Sequence, residues 1–194
     1  MAKKSARAQW QAWLTGGDTS RPAWPSSEAL CLNNRFTGVV LGIDPSLRGT
    51  GLAVLNIRDR QKPVLLSSQT VSIAISSPMP ACLGQIAKAV TQVLDRYPID
   101  HVAVEQTIYV QNFQTAQVLG AARGAAIATA AGREHPVHEY PPLRIKQAVV
   151  GYGRAGKEQL AKTVQGLLKL RKSLPWDEAD AAAVALCHAF TFCQ

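Results

Sequence analysis

The run Val39 to Ile43 is short, apolar and rich in β-branched residues, and it stops abruptly at Asp44-Pro45. Pro45 has no amide proton to donate to a ladder, and Gly49 and Gly51 break the chain before a second apolar run, Leu52 to Ile57. This pattern specifies a buried strand, a tight turn and a returning strand. It also leaves a carboxylate at the tip of a buried strand, where it is costly unless something pairs with it. A metal ion answers that cost when further carboxylates reach the same place. Glu105 and the pair Asp177 and Asp180 are the groups that can do so.

From Val39 onward the pattern is α/β. Strands are expected at about 39–44, 50–57 and 63–73, with Lys62-Pro63 at the last intervening turn. Leu83, Ile86, Ala87, Val90, Val93 and Leu94 form one helical stripe within 83–97, ended by Pro98. His101 to Val104 reads as a short buried strand with Glu105 at its end. Residues 111–132 read as a helix rich in alanine, with Gly120 and Gly124 four apart, a spacing that suits the core or a subunit interface. A fifth strand at 136–139 and helices at 143–150, 158–170 and about 177–192 complete a mixed five-stranded sheet flanked by helices. The 194 residues suit one sizeable core, placed at 38–194. Residues 1–37, with three of the four tryptophans and a charge of +3, read as an extended arm.

No hydrophobic stretch is long enough to span a bilayer and no signal-peptide core follows Met1, so a cytoplasmic protein without a membrane partner is expected. Cys31, Cys82, Cys187 and Cys193 form no Cys-x-x-Cys pair and read as free thiols.

Asp44 and Glu105 each terminate an apolar strand, and Asp177 and Asp180 share one helix face at i, i+3. Singly, each has a bland role: a turn acceptor, a surface strand end, or a helix N-cap with its first-turn partner. Clustered, four carboxylates require divalent cations, and hard oxygen ligands select Mg²⁺, with Mn²⁺ able to substitute. Two such ions about 4 Å apart activate water and stabilise a leaving oxygen in phosphodiester cleavage. The net charge of +8 points the same way. Between 144 and 172 lie Arg144, Lys146, Arg154, Lys157, Lys162, Lys169, Arg171 and Lys172, opposed only by Glu158, so this stretch carries +7. Basic charge directly before the Asp177/Asp180 helix suits delivery of nucleic-acid phosphates to an acidic metal site. His188 follows Asp180 by eight residues, about 12 Å along a helix, too far to share its metal, and reads as a packing histidine.

The segments Leu-Gly-Ile-Asp-Pro at 41–45, Ala-Val-Glu-Gln at 103–106, Gln-Val-Leu-Gly-Ala-Ala-Arg-Gly at 117–124, Lys-Gln-Ala-Val-Val-Gly-Tyr-Gly at 146–153, Leu-Leu-Lys-Leu at 167–170 and Asp-Glu-Ala-Asp-Ala at 177–181 resemble, in order and spacing, the RuvC family of Holliday junction resolvases. The resemblance spans some four-fifths of the chain. It implies a ribonuclease H-like fold, a homodimer with the 111–132 helix at its interface, and Mg²⁺-dependent paired nicking of four-way junction DNA. It carries the catalytic and metal-binding carboxylates onto Asp44, Glu105, Asp177 and Asp180 and the DNA-contacting lysines onto Lys146 and Lys157, with Arg144, Arg154 and Lys162 in the same basic stretch. It adds the RuvA/RuvB branch-migration machinery as a candidate partner. The family often places an aromatic wedge just after Glu-Gln; here Tyr109 and Ile108 are the candidates. Ser46 stands where the family usually has glycine, and the arm at 1–37 has no counterpart. Two rivals remain. An actin-like ATPase or sugar kinase would need a second phosphate loop and a second domain, and a non-catalytic junction-binding protein would have no need of all four carboxylates.

Overall fold

The computed structural model describes residues 36–107 and 112–192. Five strands, β1 (Gly38–Asp44), β2 (Gly49–Ile57), β3 (Val64–Ser72), β4 (His101–Glu105) and β5 (Val137–Tyr140), form one mixed sheet in the order β3-β2-β1-β4-β5. β1 and β2 pair antiparallel, with Asp44 opposite Gly51, and β2 pairs antiparallel with β3. β4 runs parallel to β1 and β5 parallel to β4. Parallel neighbours need crossovers, and helices α1 (Met79–Arg96) and α2 (Phe113–Ala131) supply them. The remaining helices are α3 (Pro142–Val150), α4 (Lys157–Leu167) and α5 (Trp176–Thr191).

Strand parity divides the core. Val40, Ala53, Leu55 and Ala103 point to the face covered by α3, α4 and α5. Leu41, Ile43, Val54, Val102 and Val104 point to the face covered by α1 and α2. A strand buried on both faces has no polar alternation, which is why Val39 to Ile43 reads as a continuous apolar run.

α5 is buried from Ala179 through Phe190, pressed on the centre of the sheet and flanked by α3 and α4. Its seating depends on two glycines. A β-carbon on Gly42 would strike the Ala181 carbonyl oxygen and lie 2.9 Å from the Ala185 methyl, and one on Gly51 would strike the Asp177 carbonyl. Both contacts are with backbone, which cannot swing aside, so the helix rests on the strands only because these positions lack side chains.

Several boundaries differ from the sequence expectation. α1 begins at Met79 rather than Leu83, because Pro80 falls in the first turn, where its missing amide costs no hydrogen bond. α4 ends at Leu167 rather than 170, where Lys169 turns left-handed at φ 51°. Gly120 and Gly124 are not core: a β-carbon on either meets nothing within 4 Å, and α2 packs inward through Ala122, Ala126 and Ala130 instead. Asp177 is not an N-cap. Pro175 holds that position and accepts the Ala179 amide at 2.9 Å, which leaves the Asp177 carboxylate uncommitted to the helix end. Most of the arm, and Cys31 and Cys193 with it, lies outside the described residues; Cys82 and Cys187 are free and buried. Among the described residues no helix is long and apolar enough to cross a membrane.

Gly51→Ala or Gly42→Ala should therefore destabilise the fold by about 1–3 kcal/mol or more through overpacking. Gly84→Ala, where a β-carbon meets nothing within 4 Å, should be neutral or mildly stabilising in its helix. Urea unfolding of the three variants tests this, and equal midpoints for all three would refute the seating of α5.

Candidate active site

Asp44 ends β1 and Glu105 ends β4, and the parallel register Ile43–Val104 brings the two strand tips side by side. α5 crosses above them through the Gly42 and Gly51 contacts, so its first turn carries Asp177 and Asp180 to the same end of the sheet. The Asp177 carboxylate also lies over Gly49, where a β-carbon would come within 2.9 Å of its Oδ2. A cleft beside Asp44 and Glu105 is lined by these two residues with Pro45, Gln106, Thr107, Leu119 and Pro142.

The turn behind Asp44 is fixed by a residue the sequence reading passed over. Thr50 is fully buried; its hydroxyl donates to the Ser46 carbonyl at 2.5 Å and accepts the Ser46 amide at 3.2 Å. Arg48 reaches the other way, donating to the Ala74 and Ser77 carbonyls at 2.5 and 3.0 Å and tying the turn to the segment after β3. The i, i+4 spacing of Ser46 and Thr50 was the signal available in the sequence. Glu178, between the two site aspartates, accepts from the Ser68 hydroxyl at 2.5 Å and is committed to holding α5 against β3.

The carboxylates act on one another. Burial pushes the Glu105 carboxyl well above the usual carboxylate range, and the negative charge of Asp44 pushes it further. Asp44 is also raised, by burial first and then by Asp180. The interaction between the two carboxyls lowers Asp44 and raises Glu105. Asp180 is raised by burial and partly relieved by Lys157, whose Nζ lies 3.6 Å from its Oδ2. Lys146 draws both Glu105 and Asp180 towards ionisation. An oxygen-only donor set whose members repel one another suits a hard divalent cation.

The structure thus brings together Asp44, Glu105, Asp177, Asp180, Lys146 and Lys157. Arg154 and Lys162 are exposed. Arg144 is turned away: its guanidinium sits 5.9 Å from the centre of the Tyr140 ring, in a groove shared with His138 and Phe192. Ile108 and Tyr109 lie outside the described residues and follow Thr107, at the cleft rim, directly in sequence.

The raised carboxyls set a pH dependence. A carboxyl with a folded-state pKa above its unfolded value stabilises the fold below the unfolded value and loses that contribution as pH rises through the folded one. For Glu105 the loss begins near the usual 4.5 and is complete above about 8. In EDTA, Glu105→Gln should melt higher than the unsubstituted protein at pH 8, with the gap closing towards pH 5. A constant difference across that range in thermal scans would contradict the assignment.

Three comparisons bear on the family. The model of the family described as crossover junction endodeoxyribonuclease RuvC matches residues 40–188. The crossover junction endodeoxyribonuclease RuvC of Alkaliphilus oremlandii is 39% identical over 154 residues, 79% of this chain and 93% of that protein. That of Cupriavidus pinatubonensis is 42% identical over 150 residues, 77% of this chain and 82% of the relative. Among solved structures, Thermus thermophilus RuvC in complex with Holliday junction substrate superposes with a TM-score of 0.74 at 37% identity, covering 79% of this chain and 93% of that one. The yeast mitochondrial Holliday junction resolvase, at 12% identity and a TM-score of 0.58, shares the fold. With the matched span running from β1 through His188 of α5, and so including every carboxylate of the cleft, this chain belongs to the RuvC family of crossover junction endodeoxyribonucleases.

Proposed function

We propose that this chain resolves four-way DNA junctions, cutting two strands symmetrically as a Mg²⁺-dependent homodimer in the cytoplasm. The observation that carries the reading is the meeting of Asp44, Glu105 and the Asp177/Asp180 turn at one sheet edge, with Lys146 and Lys157 acting on the same carboxyls. Asp44, Glu105, Asp177 and Asp180 would hold the metal. When bound, Mg²⁺ supplies an activated water and charge at the leaving oxygen. The chain's own contribution is to hold four partly buried carboxylates at fixed positions. Lys146 and Lys157 bring strand phosphates against that cluster. Arg154 and Lys162 extend the positive surface. Tyr109, or Ile108 in its place, is the group proposed to enter the junction centre. A branch-migration complex of the RuvA/RuvB kind is the partner that would present such junctions.

The dimer proposal rests on α2. Phe113 is 72% exposed, and Gln117, Gly124 and Ala128 continue an outward stripe with Gly120 at its centre, which none of the described residues covers. Small residues on a helix face left uncovered by the described residues allow the same face of a second copy to approach about a two-fold axis, as two symmetric cuts require.

Labelled synthetic junctions with and without Mg²⁺ test the activity. Asp44→Asn, Glu105→Gln, Asp177→Asn and Asp180→Asn should each lower cleavage by at least about a hundredfold while junction binding persists. Lys146→Ala and Lys157→Ala should weaken binding to junctions of any sequence and make its salt slope shallower by about one unit. A carboxylate variant that still cuts at nearly the full rate would remove that residue from the site.

For the dimer, Gly124→Arg adds a bulky charge at an exposed position and improves helix propensity, so the monomer should fold. Light scattering should show the shift from dimer to monomer, and paired cutting should fall with it. A variant that stays dimeric would place the interface elsewhere.

A further inference from the structure

At the opposite end of the sheet from the carboxylates sits a group of three histidines. His101 opens β4, four residues before Glu105, and His138 lies on β5 in register with Ala103. Side chains alternate along a strand, so His101, Ala103 and His138 face the same side, the one covered by α5. His188 comes down on that side from α5, one helical stripe on from Ala181 and Ala185 and eleven residues beyond Asp177, about 16 Å along the axis. One ring nitrogen from each histidine lies within 4.8 Å of the other two.

The hydrogen bonding around the cluster is incomplete. His188 Nδ1 meets the Tyr140 hydroxyl at 2.8 Å, and its Nε2 meets His101 Nδ1 at 2.9 Å. The His138 Nε2 is buried with no partner at all. An orphaned buried imidazole nitrogen beside two others is an unmet coordination demand. We propose that His101, His138 and His188 form a second metal site, separate from the catalytic carboxylates, that takes a borderline transition-metal ion such as Zn²⁺.

The chemistry suits that class. Imidazole nitrogens bind Zn²⁺ and its neighbours and leave Mg²⁺ to oxygen donors. Tetrahedral zinc with bonds of about 2.0–2.1 Å sets ligand nitrogens about 3.4 Å apart, close to the spread of within 4.8 Å seen here. Burial holds all three rings below the usual histidine range, with repulsion from neighbouring histidines adding to it at His101 and His188, the latter at about 3, so they offer neutral lone pairs at physiological pH. Tyr140 can then accept from His188 Nδ1–H, the outer hydrogen bond that orients a metal-bound imidazole. Phe36 and Phe192 pack against the rings, Phe192 stacked on His188 at 4.7 Å, and a groove past His138, Tyr140, Arg144 and Phe192 opens to solvent as an entry path. An ion here would clamp β4, β5 and the far end of the helix that carries Asp177 and Asp180.

Zn²⁺ titrated into the EDTA-treated full chain, with excess Mg²⁺ present to occupy the carboxylates, should bind at one ion per chain and raise the melting temperature with zinc concentration. Co²⁺ should give the visible absorption of an imidazole-bound ion. His138→Val, a strand-compatible change at a half-exposed position, should weaken binding by at least about tenfold and abolish the Co²⁺ bands; His101→Val serves equally if that variant folds poorly. Glu105→Gln should leave Zn²⁺ binding unchanged. Zinc affinity unaffected by both histidine substitutions, or no zinc-dependent rise in melting temperature of the unsubstituted protein, would overturn the site.

Discussion

The close seating of one helix on two strands governs the rest of this molecule. α5 lies so low over Gly42 and Gly51 that its carbonyls occupy the space of two missing side chains. The descent buries the helix on nearly every side and explains its alanine-rich sequence, since larger residues would lift it off the sheet. It also sets the height at which Asp177 and Asp180 stand above the strand tips. Packing and chemistry are thus one constraint here: the site is as precise as the contact between glycine and helix backbone.

The carboxylates turn that precision into stored repulsion. Asp44, Glu105 and Asp180 are each held above the ordinary carboxylate range by burial and by neighbouring carboxylates, and Lys157 and Lys146 partly offset this. A protein selected for stability alone would not keep such a group. The arrangement suits positive charge, and Lys157 and Lys146 supply part of what the fold leaves unbalanced.

Much of this was legible in the chain because local chemistry and global fold agree. The Val39–Gly51 pattern specified β1, its turn and β2, and strand-terminal Asp44 and Glu105 declared themselves by interrupting apolar runs. The pairing of β1 with β4 was not legible, since neighbourhood in a parallel sheet depends on where a crossover helix lands. The Gly120 and Gly124 spacing was ambiguous for a similar reason: four-residue glycine spacing predicts close approach, but not whether the partner belongs to the same chain. Arg144 joined the basic stretch by sequence and left it in space, captured by Tyr140. His188 alone read as a packing histidine, and its grouping with His101 and His138 escaped notice because the three come from separate elements, and strand parity aligns two of them only once the β4–β5 register is known.

The order of elements has a consequence for synthesis. β1 to β4, carrying Asp44 and Glu105, are made first, and α5 follows every strand and every other helix. Because α5 fills the centre of one face and brings Asp177 and Asp180, a nascent chain that has not yet reached residue 180 has neither a closed core nor all four carboxylates. Vectorial synthesis thus withholds the full acidic cluster until nearly the whole chain has been made.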